Sequence, residues 1–304
     1  MKRIENKKFV NMRRVKLVFI VLILVCSNIF AQQVESRFRV IIDTDCAPDD
    51  LRAICLIFAS NDFDVIAIST SDGLLSPEQG YKKIKAMLKH FGYQEIPVAY
   101  GKKLNKDNKF CNKLCLSVNW GDEKGIEIPE KPLSVELITK EILNQKEDIY
   151  LICFGPLTNI AEVLKNENTH SNIKQILWYQ GSPNTGYNAK SDFEAAKFVT
   201  ECKTVNKVFF NTPSTKQNLF TKKFLNKISK IKNPYSDFIF ESHQNQGVQE
   251  KIKAKFYKFW DDLLPIYLVN PELFDTTKEN NIIYASPKNK NFKNAYLQIL
   301  SCKP

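Results

Sequence analysis

Four carboxylates fall within eight residues, Asp43, Asp45, Asp49 and Asp50, directly after the apolar run Val40-Ile41-Ile42. While the chain stays extended, Asp43 and Asp45 point to the same side. Pro48 has the fixed φ of a first helical position, so Asp49 and Asp50 fall in the first helical turn and can bend back over the strand tip. Like charges this close raise one another's pKa unless a cation neutralises them. Oxygen-only ligands in such a loop suit Ca²⁺, or Mg²⁺ with more water retained. In a purely structural reading Asp49 and Asp50 complement a helix dipole while Asp43 and Asp45 shape a turn. That accounts for two acids comfortably and for four poorly.

The elements that must position these acids follow from the apolar pattern. Strands are expected at 40–42, 64–69, 96–100, 148–154, 173–179 and 205–210, and helices at 49–60, 77–91, 134–145, 157–165 and 192–202. Residues 102–132 read as a polar, irregular loop near a functional mouth, and the chain beyond 213 as mostly Lys-rich helix with one late strand at 281–285. Strand and helix taking turns indicates one α/β domain, a mostly parallel central sheet flanked by helices on a Rossmann-like core. No linker divides residues 32–304 into two domains. In such folds ligands bind outside the carboxyl ends of the strands, where the acidic run begins.

With these residues in place, the stretch 40–50 resembles the N-terminal signature of the inosine/uridine-preferring nucleoside hydrolase family, an apolar strand running into DxDxxxDD. The resemblance implies that Asp45 is both metal ligand and general base, and that Asp50 is a second ligand. It also implies that Asp49 binds ribose hydroxyls and that Asp43 supports the loop. Cys46-Ala47 stands where the family usually has Pro-Gly. Ile152-Cys-Phe-Gly-Pro-Leu-Thr-Asn-Ile160 is similar to the family's second segment, which places a backbone carbonyl, here that of Phe154, on the metal. Read without the resemblance, Gly155-Pro156 is a turn, with Thr158 and Asn159 tying down a helix end. Tyr187–Ala196 resembles F-N-x-x-x-D-P-E-A-A and puts Asn188 at a ribose contact. Trp260–Phe274 resembles the closing segment, making Asp261 the last carboxylate on the metal and a neighbour of the ribose. Without the resemblance these two stretches are a polar loop entering a helix and an acidic helix start.

Three positions depart from the family pattern. Leu74 stands where a ribose-contacting Asn is expected, with Asp72 close by. Gly186 replaces the acid that holds the sugar's primary hydroxyl. Trp260 replaces a His that assists departure of the base; an indole there could stack on the base, or pack on a C-terminal helix. The activity implied is hydrolysis of the N-glycosidic bond of a nucleoside or related N-riboside by a Ca²⁺-held water. Two other classes fit part of the pattern. A catalytically silent exported nucleoside- or sugar-binding protein would explain the three departures. A Mg²⁺-dependent phosphatase of the haloacid-dehalogenase type would use Asp43-Thr44-Asp45, but leaves Asp49-Asp50 and Gly155–Asn159 unexplained.

The 304 residues, 43% apolar and 25% charged, suffice for a large packed core and argue against disorder or a disulfide-stapled miniprotein. Of 44 basic and 33 acidic residues, seven and one lie in residues 1–31, leaving 37 against 32 for the remainder. That mild excess marks no nucleic-acid surface, and the Lys-rich stretch 221–232 reads as a solvated face. Residues 1–31 read as a signal peptide: Arg13, Arg14 and Lys16 precede the apolar run Leu17–Val25, with Ala31 as the last residue removed. The run is short for a membrane span. Export to the periplasm or medium is expected, with no membrane contact after cleavage; lipid attachment at Cys26 is disfavoured by bulky Val25. Seven cysteines remain, an odd number. Cys46, Cys55 and Cys153 read as buried thiols, and Cys111 and Cys115 could form a bridge. Three His do not suffice for a zinc site built from imidazoles. The expected partner is a small nucleoside or N-riboside, and the resemblance implies a homo-oligomer.

Overall fold

The computed structural model describes residues 37–104, 112–146, 148–180 and 186–303. The leader at 1–31, and Cys111 of the considered bridge, lie outside the described residues. In chain order the elements are β1 (Phe38–Thr44), α1 (Pro48–Ala59), β2 (Phe63–Thr70), α2 (Pro77–Phe91), β3 (Val98–Tyr100), α3 (Asn112–Ser117) and α4 (Ser134–Asn144). Then come β4 (Ile149–Cys153), α5 (Thr158–Leu164), β5 (Ile173–Tyr179), α6 (Tyr187–Ser191), α7 (Phe193–Glu201) and β6 (Lys207–Phe210). The remainder is α8 (Lys222–Ile228), α9 (Pro234–Ser242), α10 (Gln246–Lys253), α11 (Leu263–Val269), β7 (Phe274–Glu279), β8 (Ile282–Pro287) and α12 (Phe292–Leu300).

These strands form one eight-stranded sheet in the order β3-β2-β1-β4-β5-β6-β8-β7. All neighbours are parallel except the final pair, β7 and β8. Both faces are covered, and the period-2 alternation of a strand distributes its side chains between them. Val40 and Ile42 enter one hydrophobic cluster, together with α1, α2 and the C-terminal helices. Ile41, Leu151 and Cys153 enter the other, with α4, α5 and α7. Every residue of α1 is buried, Asp49 and Asp50 included, which makes it the central helix of its layer. Helix α2 is started by a capping box between Ser76 and Gln79, with Pro77 at its first position.

The chain leaves β1 toward β2 and β3, and later returns to β1's other edge with β4. The order therefore reverses between β1 and β4, and a crevice opens at their carboxyl ends. Asp43 lies opposite Ser69 of β2 and Cys153 of β4, so the acidic run begins at that crevice.

Three elements differ from the sequence expectation. The loop 102–132 contains the short helix α3, and Tyr187–Ser191 is helical rather than loop. The late strand is one half of a hairpin, because β7 precedes it. Five of the six residues of β7 are exposed at the sheet edge, so the alternation that reveals a half-buried strand is absent. The Lys-rich α8 buries Phe224, Leu225 and Ile228 and leaves its lysines outward, as expected of a solvated face. Cys46, Cys55 and Cys153 are buried. No helix among the described residues is long and apolar enough to cross a membrane.

Candidate active site

The end of β1 is held from below by Asp43. Its Oδ1 accepts from the Ser69 hydroxyl and from Asn159 Nδ2 at 2.8 Å, and Asn159 Nδ2 also reaches Thr70 O at 3.2 Å. Asn159 thus ties α5 to the tips of β1 and β2. The alternative in which it closes its own helix end is overturned, since α5 has no side-chain cap. Thr44 Oγ1 donates to Asp50 Oδ2 and accepts from Cys46 N at 3.0 Å, so one hydroxyl fixes both the turn and the helix start. Cys46 has φ 60°, a left-handed conformation strained for any residue but Gly, between two of the acids. Asp45 Oδ2 accepts from Leu74 N at 2.8 Å. Two glycines make room for it: a Cβ on Gly73 would stand 1.9 Å from Asp45 Oδ2, and one on Gly155 would stand 3.0 Å from Asp45 Cβ.

Asp261 arrives from the far end of the chain, just before α11. Asp49, Asp50 and Asp261 each offer a carboxylate oxygen within 4.8 Å of the other two, all buried. This trio differs in one member from the ligands that the resemblance implied. Asp49 belongs to it, while Asp45 stands beside, within hydrogen-bonding reach of Asp50. Asp45, Asp49, Asp50, Phe154, Asn188, Trp260 and Asp261 all line one cavity of about 490 Å³, and Asp43 lies beneath it. The expected site residues are therefore brought together from four separate stretches of chain.

The electrostatics show the consequence of crowding these acids in the interior. Burial pushes the Asp43 carboxyl up to about 6. Burial, with Asp49 and Asp43 adding repulsion, brings Asp45 to about 7. Burial, then repulsion from Asp45 and Asp49, drives Asp50 well above the usual carboxylate range, and burial, then repulsion from Asp50 and Asp49, does the same to Asp261. Buried oxygens Asp43 Oδ2, Asp50 Oδ1 and Asp261 Oδ1 have no hydrogen-bond partner. Unpaired buried carboxylate oxygens are costly, and a hard cation is the partner that satisfies several at once. The donor set, oxygen throughout, fits such an ion. A cation that binds the folded chain and not the unfolded one adds stability. Chelation is therefore expected to lower the melting temperature, and Ca²⁺ at a hundred times its dissociation constant to restore about 2.7 kcal/mol. Melting curves with and without chelator measure this.

Phe154 O accepts from Asn188 Nδ2 at 2.6 Å, and the same nitrogen reaches Tyr179 O at 3.0 Å. Asn188 thereby locks α6 onto the tips of β4 and β5. A carbonyl has two lone pairs, so Phe154 O retains one for a cation. Leu74 lines the cavity through a side chain that cannot hydrogen-bond a sugar. Asp72 accepts from Leu104 N at 2.7 Å and is not among the lining residues. Gly186 caps α6 without a side chain. Trp260 stands in the wall, edge-on to Tyr257 at 5.7 Å between centroids. The sequence reading missed Tyr179, Tyr187, Tyr257, Phe256, Leu114 and Cys115, which line the cavity together with Lys251 and Lys258. Tyr179 ends a parallel strand, the one position-based signal that could have found it.

Residues 40–291 match the family model described as inosine-uridine preferring nucleoside hydrolase. The pyrimidine-specific ribonucleoside hydrolase RihA of Escherichia coli (strain SMS-3-5 / SECEC) is 28% identical over 265 residues, 79% of this chain and 82% of that protein. Among solved structures, a plant nucleoside hydrolase has the same fold with TM-score 0.73 and 17% identity, over 87% of this chain and 99% of that one. A purine-preferring ribonucleoside hydrolase from Gardnerella vaginalis matches with TM-score 0.71 and 20% identity, over 86% and 98%. Neither the phosphatase nor the silent binding protein gains support from these likenesses.

Proposed function

Because the chain belongs to the inosine-uridine preferring nucleoside hydrolase family and is an N-glycosyl hydrolase by that membership, we propose that it cleaves nucleosides or related N-ribosides with water activated at Asp45 beside a Ca²⁺ ion. The observation that carries this reading is the buried trio of Asp49, Asp50 and Asp261, with unpartnered oxygens, in the wall of the cavity. Asp50, Asp261, Asp45 and the Phe154 carbonyl would hold the ion, with Mg²⁺ the lesser fit; Asp49 stands close enough to share it. A bound divalent cation makes water acidic enough to lose a proton near neutral pH.

In this reading Asp45 takes the proton from the attacking water, its Oδ2 steadied by Leu74 N. The water oxygen bonds the anomeric carbon, the C–N bond breaks, and its electron pair leaves with the base, which is protonated from solvent. The sugar passes through an oxocarbenium-like state, and carboxylates facing it favour the developing positive charge. Asp49 and Asp261 bind the ribose hydroxyls, while Asn188 adds a polar group at the sugar. Asp43 holds the strand tip from beneath. Trp260 offers an apolar face on which a departing base can stack. The leader read over residues 1–31 sends the chain out of the cytoplasm. Its exported form is expected to begin at Gln32, read by intact mass; a form beginning at lipidated Cys26 contradicts this.

The test offers protein beginning at Gln32, with Ca²⁺, a panel of purine and pyrimidine nucleosides, other N-ribosides and phosphomonoesters. Release of reducing sugar without phosphate is expected. Phosphate release, or no turnover of any N-riboside, contradicts the proposal.

A further inference from the structure

Directly beneath the acids lies an ion pair that the reaction above does not use. Arg52, on the first turns of α1, donates through Nε to Asp262 Oδ1 at 3.1 Å and through Nη2 to Asp262 Oδ2 at 2.7 Å. Both side chains are fully buried, and 210 positions of sequence separate them. The guanidinium also donates to Lys258 O at 3.0 Å and lies 3.4 Å from His243 Nε2. The rings of Phe220 and Tyr257 pack against it, with centroids 4.2 Å and 4.6 Å from its central carbon. Burial and the neighbouring Arg52 hold His243 well below its usual pKa, so no second positive charge competes for Asp262.

Asp262 adjoins Asp261, and the backbone that carries both lies between the ends of α10 and α11, outside helix and sheet apart from one isolated bridge at Lys258. Such a segment has no ladder to fix it. Its tethers to the rest of the chain include Phe220 N to Tyr257 O at 2.9 Å, Phe259 N to Asn218 O at 3.0 Å, Thr212 Oγ1 to Phe259 O at 2.8 Å, Leu264 N to Asp261 O at 3.1 Å, and the Arg52 bonds to Lys258 O and the Asp262 carboxylate. Of these, Arg52 alone comes from α1, the helix that bears Asp49 and Asp50. A buried ion pair adds little stability over well-packed apolar side chains of the same size, whereas a bidentate fork fixes direction.

We propose that Arg52 is a positioning residue which, by gripping Asp262 and Lys258 O, holds Asp261 against Asp49 and Asp50 so that the cation site is formed before the ion arrives. This rests on the cation-binding reading above. Arg52 touches neither substrate nor ion; it acts through its neighbour's backbone. Partners one step removed from a metal commonly change its affinity 10–100-fold when altered.

The test titrates metal-stripped, otherwise intact protein with Ca²⁺ by calorimetry and records melting in chelator. The double variant Arg52→Met/Asp262→Leu removes both charges together, so no unpaired ion is left buried. It is expected to melt within about 5 °C of wild type in chelator. Its Ca²⁺ dissociation constant should rise at least about tenfold, with turnover recovering as Ca²⁺ is raised. Arg52→Lys keeps the charge and loses the fork, and carries the test should the double variant not fold. It too should weaken Ca²⁺ binding several-fold at unchanged melting temperature. A folded variant of either kind that binds Ca²⁺ as tightly as wild type overturns the positioning role alone. A wild type that takes up no Ca²⁺ overturns the cation site, and this inference with it.

Discussion

Asp45→Asn is expected to lower sugar release from a nucleoside by about 10³-fold while the protein stays folded. The amide matches the carboxylate in size, and its oxygen can still accept from Leu74 N, so the 73–75 turn has no reason to move. What disappears is the group proposed to accept the proton of the attacking water. The substitution also removes one charge from a buried cluster in which Asp45 raises the pKa of both Asp50 and Asp261. Melting in chelator should therefore be unchanged or higher, which separates loss of chemistry from loss of fold. Steady-state assays with reducing-sugar detection measure the first, and thermal melting the second. Retention of more than about a tenth of wild-type turnover would remove Asp45 from the role of base.

Gly73→Ala should cost nearly as much by a different route. The added methyl would stand 1.9 Å from Asp45 Oδ2 and 2.5 Å from its Cβ, distances that real contacts do not show. Asp45 is meanwhile wrapped by the turn it would collide with, through Leu74 N to Oδ2 at 2.8 Å and Leu75 N to its carbonyl at 3.2 Å. Either the side chain or the turn must shift, and a shift of about 1 Å in a reacting group commonly costs on the order of 10²-fold in rate. Overpacking of this kind also destabilises by roughly 1–3 kcal/mol. Both losses should appear together, in kcat and in melting temperature. An active, unshifted Gly73→Ala would mean that Asp45 is not held where its function requires.

The alternation of apolar runs with amphipathic ones was enough to read the sheet, because a parallel sheet covered on both faces buries almost every strand residue. Asp43, Asp45, Asp49 and Asp50 were legible for the same local reason: they sit together in the sequence. Asp261 was not readable from spacing, since nothing in Trp260–Phe274 says that it meets residues two hundred positions earlier; only the likeness to a family pattern proposed it. The Arg52–Asp262 fork left no trace at all, as a lone Arg in an apolar helix and the second of two aspartates each look ordinary alone. Gly73 was invisible in the same way, and Asn159 stood out only as a local helix-end residue, because both act through close approach to the end of β1 rather than local turn chemistry. Strand β7 escaped because its exposed edge has no apolar face to mark it.

The measurement that bears most directly on the account is the stoichiometry and affinity of Ca²⁺ on metal-stripped protein, compared between wild type, Asp50→Asn and Asp261→Asn by calorimetry. One ion per chain is predicted for wild type, with binding lost or weakened at least about tenfold in both variants, since a ligand from each end of the chain is removed. Wild-type affinity in Asp261→Asn would contradict the claim that acids from the two ends of the chain share one cation.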